Sequence, residues 1–342
     1  MSDLNFILRE MTHLRYWMPL VIEGEKRGLK SSFFVAPSNK YNCPFVHKKV
    51  IQQISKDHGV GIKDWQEAKK VETILFASEN RWGIDILKTA KKATKVVCTY
   101  QTDFVESYNK FYKNIADYIL MPSKFCAEFY ECTEGKNLYL GIPKYDVEFS
   151  KEEVFERNML EDENNILLIW PKLRDMSKVD MDKLLNLLLK TGYRILAKTR
   201  GKDPIPRSYK KLLKENGGRF FEDRSWHPHT TQELLSVSKL AVNFGSTTIE
   251  ECVMQNVPVI NFDVKPKTRN GNEKRWRVTH DYLYDYDYCI QLENDFKEKQ
   301  LIASVQYLVN TNLDSEFKKS RQNHLFDHSN SSKKILDFIL QC

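Results

Sequence analysis

No stretch of this chain reaches the roughly 18 uninterrupted apolar residues that cross a bilayer as a helix. The best run, Ile166 to Trp170, is the size of a buried strand. The start, Met1-Ser2-Asp3-Leu4, lacks the basic region and long apolar stretch of a secretory leader, so a cytoplasmic protein is expected. None of the seven cysteines (Cys43, Cys98, Cys126, Cys132, Cys252, Cys289 and Cys342) forms a Cys-x-x-Cys pair, and their number is odd. That pattern speaks against a disulfide framework or a zinc site and for reduced, mostly structural thiols. Internal repeats and low-complexity tracts are also lacking.

What is present is ordinary globular material. At 342 residues the chain is long enough for about two domains of average size. Apolar residues make up 41%, aromatics 12% and charged residues 29%, too rich in core formers for a disordered chain. Lys and Arg number 53 against 46 Asp and Glu, a net charge of +7. An excess this small and dispersed favours phosphates, nucleotides or an anionic membrane surface, and does not by itself argue for nucleic acid.

Short apolar runs alternate with amphipathic stretches along the whole chain, the signature of an α/β protein built from βα units. Strands are expected at Leu4–Leu8, Ser31–Ala36, Thr73–Ala77, Lys95–Thr99, Tyr118–Met121 and Asn137–Leu140. A helix from Tyr16 to Arg27 carries Trp17, Leu20, Val21 and Gly24 at helical spacing and stops at Gly28. The rhythm breaks at Gly141-Ile-Pro-Lys-Tyr-Asp146, and two charged, poorly patterned stretches follow, so a domain junction is placed there. Strands resume at 166–170, 193–198, 219–222, 240–243, 257–262 and 288–291, separated by helical patterns at 179–190, 207–215, 231–237 and 247–255. The tail holds a stretch at 296–310, a polar hinge around Ser329–Lys333, and a last apolar helix near 335–340 that is expected to pack back on the body. The expected domains are 1–146, 147–325 and a returning helix in 326–342.

The most informative segment runs from Ala241 to Phe262. A strand ends at Asn243, a Gly245-Ser-Thr-Thr248 turn follows, and a helix begins. Ser246, Thr247 or Thr248 can cap that helix, with Glu250 or Glu251 answering at its third position. The amides of such a turn also suit an anion, so a diphosphate can sit there, and a carboxylate one turn further on can reach a ribose diol. A plain capped helix explains the Ser and the Glu but not the whole string.

The pattern Gly245-Ser246-Thr247-x3-Glu251-Cys252-x3-Asn256-x-Pro258-Val259-Ile260 resembles the donor-site signature of GT-B glycosyltransferases and their relatives. Cys252 stands where Ala is usual and Asn256 where Gly is usual; Cys is small, and Asn is the commonest non-glycine at a left-handed helix end. Glu250-Glu251 is similar to the paired acid of UDP-N-acetylglucosamine 2-epimerase relatives. Leu140-Gly-Ile-Pro-Lys-Tyr-Asp146 resembles the crossover at the domain junction of Kdo transferases, epimerases and CDP-glycerol glycerophosphotransferases. Ile169-Trp-Pro-Lys-Leu-Arg-Asp175 and Leu196-Ala-Lys-Thr-Arg-Gly201 are similar to that group's first C-terminal strand with its basic loop and to its Lys-Pro-His-Pro strand end. The resemblance implies two Rossmann-like domains facing a cleft. It puts Lys172, Arg174, Lys198 and Arg200 at strand ends, where they supply charge for a diphosphate leaving group without a metal or other cofactor; simple solvation explains any one of them equally well. No Asp-x-Asp triplet stands at a strand end, which removes support for a metal-dependent GT-A transferase.

The resemblance places a base for the acceptor hydroxyl in the loop Arg9-Glu10-Met11-Thr12-His13, where His13 can accept a proton and Glu10 can do so or orient it. Glu79 and Asp103, after the third and fourth strands, are rivals, and a surface role is the plain alternative for each. In Trp226-His227-Pro228-His229, His227 is placed to touch the nucleotide base or to serve structure alone. The function implied is an inverting, metal-independent glycosyltransferase that takes a nucleotide sugar and a glycan or lipid-linked acceptor, with peripheral membrane contact open and the oligomeric state unread. The alternatives are a CDP-glycerol-type polyol-phosphate transferase, a nucleotide-sugar 2-epimerase, whose Gly-Thr-Arg-Pro-Glu run is absent here, and a non-catalytic binding module on the same fold.

Overall fold

The structure is a computed structural model of the chain. It describes residues 3–35, 48–78, 81–98, 115–121, 124, 137–147, 149–199, 204–222, 229–262, 264 and 282–341. Two compact units emerge, one formed mainly by Met1–Glu148 with His324–Cys342, the other by Phe149–Ser225 with His229–Asn323.

The first unit holds seven strands: β1 (Leu4–Leu8), β2 (Ser31–Val35), β3 (Gly61–Asp64), β4 (Ile74–Ser78), β5 (Thr94–Cys98), β6 (Tyr118–Leu120) and β7 (Asn137–Leu138). They form one sheet in the order β3-β2-β1-β4-β5-β6-β7, each pair parallel. All five residues of β1 are buried, because helices cover both faces of a parallel sheet and every position then faces a core. Side chains alternate between those cores: Leu4, Phe6 and Leu8 join the cluster with Trp17 of the Leu14–Lys26 helix and Ile335, Leu336 and Ile339 of the last helix, whereas Ile7 joins Leu87 and Val97. Phe6 stacks on Phe76 at 5.0 Å and lies 5.6 Å from Trp17.

In the second unit β8 (Asn165–Ile169), β9 (Arg194–Lys198), β10 (Arg219–Phe221), β11 (Leu240–Asn243), β12 (Val259–Phe262) and β13 (Cys289–Leu292) pair in the order β10-β9-β8-β11-β12-β13, again all parallel. Both units thus follow the doubly wound order 3-2-1-4-5-6, with one further edge strand in the first. Their topological switch points lie between β1 and β4 and between β8 and β11, where ligands bind beyond the strands' carboxyl ends.

Several expectations need correcting. Ser150–Arg157, read as poorly patterned, begins a regular helix (Lys151–Asn158) whose cap is Ser150 Oγ, accepting from the Glu153 amide at 3.4 Å. Ser331–Lys333, read as a hinge, is the first turn of the last helix, Ser331–Ile339. Its amino end is held by the crossover motif: Asp146 accepts from the Ser331 amide at 2.8 Å and the Ser332 amide at 2.5 Å. His328 Nδ1 accepts from the Ile142 amide at 2.8 Å. Gly141, at φ +84°, lies so close to this turn that a Cβ would come within 2.8 Å of the Asp327 carbonyl oxygen. Strand β3 and the helices Lys48–His58, Arg81–Thr89 and Asp314–His324 carry no apolar pattern that sequence reading singled out. No helix among the described residues is long and apolar enough to cross a membrane.

Candidate functional site

At the second unit's switch point β11 ends in Asn243, and Phe244, Gly245, Ser246 and Thr247 lead into the helix Thr248–Met254. Gly245 takes φ +57°, a left-handed conformation that any side chain would strain. Of the three expected caps it is Ser246 that meets the helix's first amide, at the long end of hydrogen-bond distance. Thr247 occupies the N-cap position with helical angles and no side-chain hydrogen bond, and Ser246 Oγ accepts from the Thr248 amide at 3.4 Å while lying 3.1 Å from Thr248 Oγ1.

The turn is held instead by three side chains from separate segments. Asn243 Oδ1 accepts from the Ser246 amide at 3.3 Å, and its Nδ2 donates to the Ser246 carbonyl at 3.1 Å. Asn261, paired in register with Asn243 on β12, accepts from the Gly245 amide at 3.0 Å and from Asn243 Nδ2 at 3.1 Å. The Tyr284 hydroxyl accepts from Asn243 Nδ2 at 3.2 Å and donates to the Ser246 carbonyl at 3.3 Å. The amides of Gly245 and Ser246, read from sequence as open to an anion, therefore already have partners. All three side chains are buried.

One turn into the helix both acids, Glu250 and Glu251, are buried. Glu251 is buried, with Oε1 3.2 Å from Nε2 of His229, itself buried just before the helix Thr230–Ser236. The helix ends as the sequence suggested: Asn256 takes φ +54°, and the Val257 amide donates back to the Cys252 carbonyl at 2.9 Å in a Schellman closure. Arg321 adds a hydrogen bond to the Val253 carbonyl at 2.7 Å.

Parallel pairing brings the ends of β8, β9 and β11 to the same edge. Lys172 follows β8 as N-cap of the short helix Leu173–Met176, and Lys198, the last residue of β9, is 8% exposed. Lys178 ties this basic loop to the end of β12, its ammonium meeting Asp175 at 3.3 Å and also the Val264 carbonyl. Arg200, His227, Glu79, Asp103 and the Arg174 side chain lie outside the described residues.

In the first unit the loop after β1 carries His13 at 1% exposure against Trp17, 6.2 Å between ring centroids. Burial first, and then the Arg9 charge, pull its pKa down to about 3, partly countered by a hydrogen bond to the Ile7 backbone. The imidazole is therefore neutral at pH 7. Glu10 keeps about a quarter of its side chain exposed, 26%, and sits 4.0 Å from Arg9 Nε. No group of three or more His, Cys, Asp or Glu among the described residues is placed to hold a metal ion.

Sequence reasoning missed Asn243, Asn261, Tyr284 and His229. A signal for two of them existed: Val242-Asn-Phe244 and Ile260-Asn-Phe262 set the same polar residue between apolar neighbours near the ends of two buried strands. For His229, only its place beside His227 pointed to the site.

No protein-family model matches the chain, and no curated protein matches it in sequence. Solved structures do. The wall teichoic acid polymerase TagF, soaked with CDPG, aligns with 99% of this chain and 88% of its own at TM-score 0.66 and 13% identity. MurG from Acinetobacter baumannii aligns over 99% and 100% at TM-score 0.59 and 12% identity. The UDP-GlcNAc 2-epimerase from Methanocaldococcus jannaschii does so over 99% and 100% at TM-score 0.59 and 14% identity. With two parallel sheets of doubly wound order and near-complete alignment to these proteins, the chain has the GT-B fold, shared by glycosyltransferases and nucleotide-sugar epimerases.

Proposed function

We propose that the chain is a metal-independent, inverting glycosyltransferase that moves a sugar from a nucleoside diphosphate donor to a hydroxyl of a glycan or lipid-linked acceptor in the cytoplasm. The observation that carries this reading is the turn Gly245–Thr248 with the buried Glu251 one helical turn beyond it, at the switch point of the second sheet. In this proposal Ser246, Thr247 and Thr248 meet the diphosphate and Gly245 sets the turn. Glu251, oriented by His229, takes the ribose diol. Lys198 and Lys172, with Arg200 and Arg174, stabilise the departing phosphate; a cation with little water around it acts on such charge far more strongly than one in bulk solvent. His227 is assigned to the base.

Proton removal from the acceptor falls to the first unit. His13 is the leading base by its place in the loop after β1, although burial makes its neutral ring a weak proton acceptor. Glu10 has the better solvent access and is its first alternative, with Glu79 and Asp103 behind.

The test is a thermal-shift panel of UDP, GDP, CDP, CMP, dTDP and ADP, since a ligand that binds only the folded chain raises its stability. One nucleoside diphosphate should raise the melting temperature, and Glu251→Ala should remove that rise. If no nucleotide shifts the wild type, the reading fails. TagF soaked with CDPG, a structural neighbour at TM-score 0.66, supports a second reading as a polyol-phosphate transferase of the CDP-glycerol kind. That enzyme would release CMP and not a nucleoside diphosphate. The epimerase neighbour supports a third, distinguished by turnover of UDP-N-acetylglucosamine without acceptor.

A further inference from the structure

The donor turn is gripped from its own strand and from two segments beyond it. Asn243 is the last residue of β11, Asn261 lies on the next strand, and Tyr284 arrives from the segment before β13. Three buried polar groups at one point are costlier than apolar packing unless their hydrogen bonds are made, and here the bonds converge on Gly245 and Ser246. The chain of bonds is also directional. Asn243 Oδ1 takes the Ser246 amide, which leaves Nδ2 to face Asn261 Oδ1, the Tyr284 hydroxyl and the Ser246 carbonyl. Asn261 Oδ1 is thereby aimed at the Gly245 amide. Each amide group is fixed against flipping by the next member, and the Tyr284 hydroxyl closes the loop by bonding both Asn243 and the Ser246 carbonyl.

We propose that Asn243, Asn261 and Tyr284 are positioning residues for the nucleotide-binding turn, holding Gly245 and Ser246 in their bound shape before any ligand arrives. The proposal rests on the donor-site reading given above. It assigns these residues no contact with substrate. Their effect is preorganisation: a turn that needs no rearrangement gives its ligand the full interaction energy, and one that must first be ordered gives less. Tyr284 is the most informative member, because its hydroxyl can be deleted with the ring retained, and the ring is what fills space beside the turn.

The experiment compares wild type with Tyr284→Phe by calorimetric titration of UDP and of inorganic pyrophosphate, by thermal melting, and by amide hydrogen exchange. In the ligand-free wild type the Gly245 and Ser246 amides should be protected. In Tyr284→Phe they should exchange faster and UDP should bind roughly three- to tenfold more weakly, the equivalent of one net hydrogen bond, while the melting temperature falls by only a few degrees. Fast exchange of both amides in the wild type overturns the proposal without recourse to a variant. So does a wild type that binds UDP with Tyr284→Phe binding it equally well. A wild type that binds neither UDP, pyrophosphate nor any nucleotide of the panel overturns the donor-site reading itself, a result distinct from either of these.

Discussion

The two units share a strand order but differ at one edge. At the amino edge they match. Asn5 on β1 donates through Nδ2 to the Ile74 carbonyl at 3.1 Å and to Thr73 Oγ1 at 3.0 Å. Asn165 on β8, the equivalent strand, donates through Nδ2 to the Val237 and Asp162 carbonyls, each at 2.7 Å. In both cases a buried amide ties the central strand to the chain entering its neighbour across the switch point. At the carboxyl edge the likeness ends: the first unit presents a neutral, desolvated His13 packed on Trp17, and the second a hydrogen-bonded turn flanked by a buried Glu251–His229 pair. One edge thus serves the architecture that the halves share, and the other edge is where their side-chain chemistry differs.

That contrast can be broken most decisively by separating binding from turnover. His13→Asn should lower turnover by about 10²- to 10⁴-fold, the usual weight of a general base, and leave the thermal shift given by the best nucleotide intact. A lost shift would mean that the two edges do not divide the work. Next in size is an acid effect carried by two buried histidines of the first unit. His13 and His328 both have pKa values lowered from 6.5 to about 3, in each case chiefly by burial. The unfolded chain binds those protons first, so the stability they confer is whole above pH 6.5 and falls as pH drops from there towards 3. The slope is up to about 1.4 kcal/mol per pH unit for each histidine. Denaturant unfolding at pH 7 and pH 5 should show it, and His328→Asn should flatten it. An unchanged slope would remove the difference claimed between the units. Smallest, and sharpening the shared edge, are Asn5→Ala and Asn165→Ala. Each should destabilise by about 1–3 kcal/mol through the carbonyls it leaves unpaired, and a loss in only one would end the equivalence.

The architecture was legible because parallel strands covered on both faces are written as unbroken apolar runs, as in Ile166–Ile169 of β8. β3 escaped since an edge strand needs no such run, and Gly-Ile-Lys-Asp has exposed positions to spare. The Lys151–Asn158 helix escaped because one buried residue, Val154, is all it contributes to a core. At the site, Glu251 and the Gly-Ser-Thr turn were visible as a local string. Asn243 and Asn261 showed only as polar residues between apolar neighbours, and Tyr284 not at all: their joint meaning comes from strand register and from a contact 41 residues away along the chain. A rule that runs along the sequence does not reach either.

The clasp between Gly141–Asp146 and the last helix bears on how the protein is made. Ile335, Leu336 and Ile339 complete the core face that Leu4, Phe6 and Trp17 begin, yet all of the second unit is synthesised between them. Domains commonly fold in the order in which the ribosome releases them. Here the first unit reaches that point with one apolar face uncovered and Asp146 without the amides it caps. It becomes complete only when Ser331–Ile339 has left the exit tunnel, after all of the second unit, so the half begun first is completed after the half begun second.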